Sequence, residues 1–128
     1  MSFQIGVVGG SGYTGAELLR LLHTHPEAEV VLATGDSNAG ARVASLYPSL
    51  AAAYPDLAYT PVDASAMAGL DLVFVALPHG ASQTVIPDLV RTVPHVVDLG
   101  ADFRLAPAVY EQWYGEEHTA PDLQAQFA

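Results

Sequence analysis

The apolar run Phe3 to Val8 is followed at once by GGSGYTG, which puts glycine at positions 9, 10, 12 and 15. Gly9, Gly12 and Gly15 have the spacing GxxGxxG, and Gly10, Gly12 and Gly15 satisfy GxGxxG in the same residues. Glycine at such a junction permits a tight turn, lets backbone approach a pyrophosphate, and lets the next helix pack closely on the strand. The amides and dipole of that helix start would then face the phosphates. The plainer alternative is a turn that needs only positive φ. A strand before the glycines and a helix after them favour nucleotide binding over that alternative. No Gly-Lys-Ser/Thr follows, which argues against a Walker-type NTPase.

The rest of the chain alternates in the same way. From Tyr13 to His25, Leu18, Leu19, Leu21 and Leu22 crowd one helical face while Glu17, Arg20 and Thr24 lie toward the other, and Pro26 ends the helix. A second strand is expected at Glu29 to Thr34, followed by loop residues Gly35 to Gly40. The stretch Ala41 to Met67 is alanine-rich and broken by Pro48, Pro55 and Pro61, so short helical turns and one short strand are expected there. LVFVAL, Leu72 to Leu77, is apolar without alternation, the mark of a strand covered on both faces. Helical spacing returns over Ala81 to Val90 with Pro87 inside it, as a bend or a later start. HVVDL, His95 to Leu99, reads as another buried strand, and a last helix is expected from Ala108 to Tyr114. This pattern predicts an α/β, Rossmann-like domain over residues 1–128, a mostly parallel sheet with helices on both faces.

Composition narrows the function. A chain of 128 residues has room for one domain, so a two-domain enzyme would not be complete within it. Hydrophobic residues at 51% against charged residues at 14% support a packed core rather than disorder. Four Lys+Arg against fourteen Asp+Glu, a formal charge of -10, disfavour nucleic acid and anionic membrane surfaces as partners. There is no cysteine, hence no disulfide, thiolate metal site or thiol nucleophile on these residues. The first residues carry no basic region, and the longest apolar stretch is too short to span a membrane, so a soluble, cytoplasmic protein is expected.

Four runs in order, GGSGYTG at 9–15, LPHG at 77–80, ADFRL at 101–105 and YEQWYG at 110–115, resemble the N-acetyl-γ-glutamyl-phosphate reductase family of the semialdehyde dehydrogenase group. The resemblance covers essentially the whole chain and the N-terminal, NAD(P)-binding part of such an enzyme. It implies an oxidoreductase of arginine biosynthesis that reduces a small acyl-phosphate substrate to a semialdehyde with NADPH, through a thioester on cysteine. That cysteine, its histidine partner and most of the second domain would lie beyond Ala128. The chain alone is therefore expected to be inactive, and the full enzyme to be a homo-oligomer. The alternatives are the homologous aminoadipyl-phosphate reductase of lysine biosynthesis and a dinucleotide-binding module without chemistry.

The resemblance also implies roles for particular residues. Gly9, Ser11, Gly12, Tyr13, Thr14 and Gly15 would surround the cofactor pyrophosphate, though Ser11 would equally serve as a helix N-cap. Ser37 would lie near the adenosine 2′-phosphate, or act as an ordinary turn residue. Where relatives often carry a basic residue before that serine, this chain has Asp36, which would repel a 2′-phosphate and accept from a 2′-hydroxyl. NADP is the expected cofactor, with NAD as the alternative that Asp36 raises.

Pro78 and His79 would line the nicotinamide end, although a histidine after a strand is more often a loop residue bonded to backbone. His23 and His25 are two apart on a helix and cannot face one ligand, so no metal site is expected. Asp98, Asp102 and Arg104 would form salt bridges that fix a loop, or Arg104 would help bind an acidic substrate. Tyr110, Trp113 and Tyr114 share one helical face and are expected in packing.

Overall fold

Val7 and Val8 are adjacent in sequence and both fully buried, yet they belong to different cores. Successive strand residues point to opposite faces, so this pair requires cover on both sides of its strand. In the computed structural model, which describes residues 2–78 and 81–100, that strand is β1 (Phe3–Val8). It is followed by α1 (Tyr13–His23), β2 (Ala28–Thr34), α2 (Val43–Leu46), β3 (Tyr59–Thr60), β4 (Leu72–Val75), α3 (Ser82–Thr92) and β5 (His95–Asp98). Short 3-10 turns at Pro48–Leu50 and Ala64–Met67 complete the middle of the chain.

The five strands form one sheet in the order β3-β2-β1-β4-β5, and every pair is parallel. On one face Val7 packs with Leu19 of α1, Ala33, Val43, Leu50, Tyr54 and Tyr59. On the other, Val8 packs with Met67, Val73, Val75 and with Ile86 and Leu89 of α3. The expected Rossmann-like arrangement is thus present, with β1 in the middle and helices on both faces.

Several boundaries and faces differ from the sequence reading. The first helix stops at His23, because the amides of Thr24 and His25 turn back to the carbonyls of Leu21 and Leu22 before Pro26. Leu19 is buried but Leu21 is 52% exposed, so the apolar face is narrower than its leucines suggested. β2 begins at Ala28, one residue early. β4 ends at Val75, two residues early, and its burial alternates: Val73 and Val75 are covered while Leu72 and Phe74 are only partly so. β5 ends at Asp98 and, among the described residues, lies at the edge of the sheet, and its His95 and Val97 are exposed where a buried strand was expected.

Pro87 lies inside α3, which starts at Ser82 and runs on to Thr92. Its missing amide therefore neither delays the helix nor ends it. The middle stretch matches its expectation of short turns and one short strand. The helix expected from Ala108 to Tyr114, with Tyr110, Trp113 and Tyr114, lies outside the described residues, as do Asp102 and Arg104.

Candidate functional site

The strand order reverses direction between β1 and β4, and the C-terminal ends of these two strands define a crevice of the kind in which parallel sheets hold ligands. The glycine run fills one side of it. Gly9 has φ +82, and a Cβ there would lie 2.5 Å from the Ala76 carbonyl oxygen just after β4. Positive φ and the close strand end both demand glycine at this position. At Gly15 a Cβ would collide with the Gly9 carbonyl oxygen and with Gly10, so α1 sits directly on the turn.

Gly12 is different. Its φ of -79 and ψ of 174 suit any residue, and a Cβ there would find only the Gly9 oxygen at 3.8 Å. Neither backbone conformation nor packing requires glycine at this position. Gly12 is also the N-cap of α1, and no side chain caps the helix. An open glycine beneath uncapped helix-start amides fits a phosphate group that must approach the backbone. Ser11, the N-cap candidate in sequence, stands one residue too early and makes no such bond. Tyr13 and Thr14 are exposed at the same helix start, Tyr13 at 90%.

Three side chains that the sequence reading did not single out hold the glycine turn from below. Thr34 Oγ1 accepts from the Gly9 amide at 3.0 Å, and the Thr34 carbonyl accepts from the Gly10 amide at 2.8 Å. Tyr59 donates its hydroxyl to the Gly10 carbonyl at 3.2 Å, and Tyr47 donates to the Ser11 carbonyl at 2.6 Å. Burial, with a smaller effect from Tyr47, pushes the Tyr59 hydroxyl up to about 12, so it stays a neutral donor. The signal for these residues was two of the three tyrosines in a proline-broken stretch, and a threonine ending a β-strand. Each is polar where the turn carbonyls and amides need a partner.

The other predicted residues fall around this turn. A Cβ on Gly35 would lie 3.2 Å from Ser11 Oγ, so the loop after β2 starts against the glycine run. That loop carries Asp36 and Ser37, both exposed. On the other side a Cβ on Gly9 would lie 3.2 Å from the Leu77 side chain, and Pro78, exposed, accepts at its carbonyl from the Ala81 amide at 3.0 Å. The structure therefore brings together Gly9, Ser11, Gly12, Tyr13, Thr14, Gly15, Ser37 and Pro78 along one sheet edge. His79 and Gly80 lie outside the described residues.

Asp98, at the end of β5, is buried; it accepts from Ser82 Oγ at 3.3 Å and from the Gly100 amide at 2.9 Å. These bonds tie the start of α3 to the turn after β5. His23 packs edge-on against Tyr54, and His25 Nδ1 accepts from the Glu27 amide. Among the described residues no group of three His, Cys, Asp or Glu could hold a metal ion, and no helix is long and apolar enough to cross a membrane. A hollow of about 530 Å³ lies at the opposite sheet edge, lined by Phe3, Leu22, Leu72 and Phe74, and is no part of this site.

Comparison with known proteins agrees with the architecture. The family described as semialdehyde dehydrogenase, NAD binding domain, matches residues 4–121. N-acetyl-gamma-glutamyl-phosphate reductase of Cellvibrio japonicus is 48% identical over 124 residues, 96% of this chain and 35% of that protein. The protein of the same name from Marinobacter nauticus is 49% identical over 120 residues, 93% of this chain and 34% of its own. The chain thus spans about a third of the length of these relatives. Among solved structures, aspartate semialdehyde dehydrogenase with NADP from Candida albicans superposes with a TM-score of 0.69 at 18% identity, covering 91% of this chain and 40% of that one. At that identity the likeness speaks for the fold alone. Family match, close relatives and a parallel sheet centred on the glycine turn lead to one assignment: the chain belongs to the semialdehyde dehydrogenase NAD-binding domain family.

Proposed function

We propose that the chain is the NADP-binding part of a reductase that converts N-acetyl-γ-glutamyl phosphate to its semialdehyde. The observation that carries the dinucleotide reading is Gly12, an open glycine at an uncapped helix start on the crevice between β1 and β4. The substrate reading is supported by the names of relatives 47–49% identical over nearly all of the chain.

In this reading Gly12 and the first-turn amides of α1 bind the pyrophosphate, and Ser11 and Thr14 offer hydroxyls beside it. Thr34, Tyr47 and Tyr59 keep the turn in the shape that leaves the space open. Asp36 and Ser37 meet the adenosine ribose, while Pro78 and His79 border the nicotinamide. NADPH, when bound, supplies the hydride. The chain's own residues supply position, and its lack of cysteine leaves the thiol chemistry to residues other than these 128.

Titration calorimetry with NADP on the chain and on Gly12→Val tests the proposal. The unsubstituted chain is expected to bind, weakly if the nicotinamide is left uncovered, and the folded variant is expected not to. A folded parent that binds no dinucleotide, or a variant that binds equally well, would overturn it.

A further inference from the structure

Tyrosines aside, the buried polar and charged side chains among the described residues are Thr34, Ser82, Gln83 and Asp98. All four stand at one end of the molecule: Thr34 closes β2, Ser82 and Gln83 open α3, and Asp98 closes β5. In a parallel sheet these places share the C-terminal edge of the strands, where ligands are held. Taking a polar side chain out of water lowers stability unless hydrogen bonds replace the water, and a carboxylate is the most costly case. Thr34 holds the glycine turn on one flank of the crevice. Ser82, Gln83 and Asp98 stand on the other.

Asp98 joins two segments there. Its Oδ2 accepts from Ser82 Oγ at 3.3 Å and its Oδ1 from the Gly100 amide at 2.9 Å. Ser82, fully buried, follows Ala81, the N-cap of α3, whose amide donates to the Pro78 carbonyl at 3.0 Å. A chain of short contacts thus runs from the end of β5 through Ser82 and Ala81 to Pro78. The strand ends are fixed without it: the Ala76 amide donates to the Val8 carbonyl at 2.8 Å and the Leu99 amide to the Val75 carbonyl at 2.9 Å. Ile86 and Leu89 hold the body of α3 against the sheet. What the buried carboxylate adds is the position of the helix start, and with it the position of Pro78.

We propose that Ser82 and Asp98 are positioning residues that set Pro78 where the nicotinamide end of the cofactor rests. This rests on the dinucleotide reading given above. Both residues are buried and act through Ala81 and Pro78. Apolar packing is non-directional and lets a helix slide slightly on its sheet, whereas a hydrogen bond fixes both direction and distance. A slide of α3 carries Pro78 with it and changes the wall beside the nicotinamide. It leaves Gly12 and the start of α1 as they were, because Thr34, Tyr47 and Tyr59 hold that turn independently. The two halves of the dinucleotide are therefore placed by separate sets of buried polar groups.

The test compares NADPH with 2′-phospho-ADP-ribose, which ends before the nicotinamide, on the unsubstituted chain and on Ser82→Ala, with thermal melting to confirm that each folds. Ser82→Ala is expected to weaken NADPH about fivefold, the weight of one hydrogen bond, and to shrink the change in nicotinamide fluorescence on binding. The affinity for 2′-phospho-ADP-ribose should stay the same. Unchanged NADPH binding, or equal loss of both ligands, would overturn the role of the pair. Hydrogen exchange on the unsubstituted chain gives a second reading that needs no variant to fold. NADPH should slow exchange at the Ala81 and Gly100 amides while 2′-phospho-ADP-ribose does not; equal slowing by both, or by neither, would overturn the proposal. A parent that binds both ligands but fails these comparisons overturns this inference alone, whereas one that binds neither removes the dinucleotide reading beneath it.

Discussion

Gly9 and Gly12 lack a side chain for different reasons, and substitution separates them. Gly9 carries φ +82 with the Ala76 oxygen 2.5 Å from any Cβ, so Gly9→Ala should strain the backbone and push β1 from β4. A loss of about 2 to 4 kcal/mol in unfolding free energy is expected, as strain and overlap add. Gly12 meets nothing closer than 3.8 Å, and Gly12→Ala should lower stability by less than about 1 kcal/mol, the difference between these residues at an N-cap. Urea denaturation of both variants measures the contrast. Comparable losses would mean that the space above Gly12 is not free. The sequence showed that this turn needs glycine, but not which glycine the fold itself requires and which it leaves open. Spacing records a position; only the surroundings of Gly9, Gly12 and Gly15 distinguish φ, packing and open space.

At the scale of elements, legibility followed amphipathicity. β1 and α1 were readable because an apolar run gives way to a stripe of leucines, and β4 because four apolar residues stand together. The stretch from Ala41 to Met67 offers no period, since alanine fits any face and proline breaks each run. Yet that stretch supplies Tyr47 and Tyr59, which donate to the carbonyls of Ser11 and Gly10. Its contribution has a pH signature. An unfolded tyrosine ionises near pH ~10, while folded Tyr59 holds its proton up to about 12 because burial disfavours the phenolate. Between these values the unfolded state loses the proton first, so stability is intact below the lower value and falls as pH rises toward the upper one. Burial raises Tyr54 in the same direction. Chemical denaturation across the alkaline range should show this decline, and Tyr59→Phe should flatten it while lowering stability at neutral pH through the lost bond to Gly10. An equal slope in the variant would place the decline elsewhere.

At the scale of the whole molecule, two cores meet at one strand and one sheet edge gathers the residues proposed to meet the cofactor, but the chemistry of a reductase needs more than position. By the proposed route a thiolate displaces phosphate from the acyl group, and the resulting thioester accepts hydride from the nicotinamide. No residue among the 128 is a cysteine. Of the hydroxyls around the glycine turn, Thr34 Oγ1 already accepts from the Gly9 amide. A hydroxyl without an adjacent base is a poor nucleophile at neutral pH. The purified 128-residue chain is therefore expected to show no NADPH oxidation with N-acetyl-γ-glutamyl phosphate, even at cofactor concentrations that saturate its binding. Joining it to a second domain that brings a cysteine to the nicotinamide should give turnover, and exchanging that cysteine for serine should abolish it without weakening NADP binding. Turnover by the chain alone, persisting after contaminating host enzyme is removed, would show that one of its own groups performs the covalent step and would overturn the thioester route for this protein.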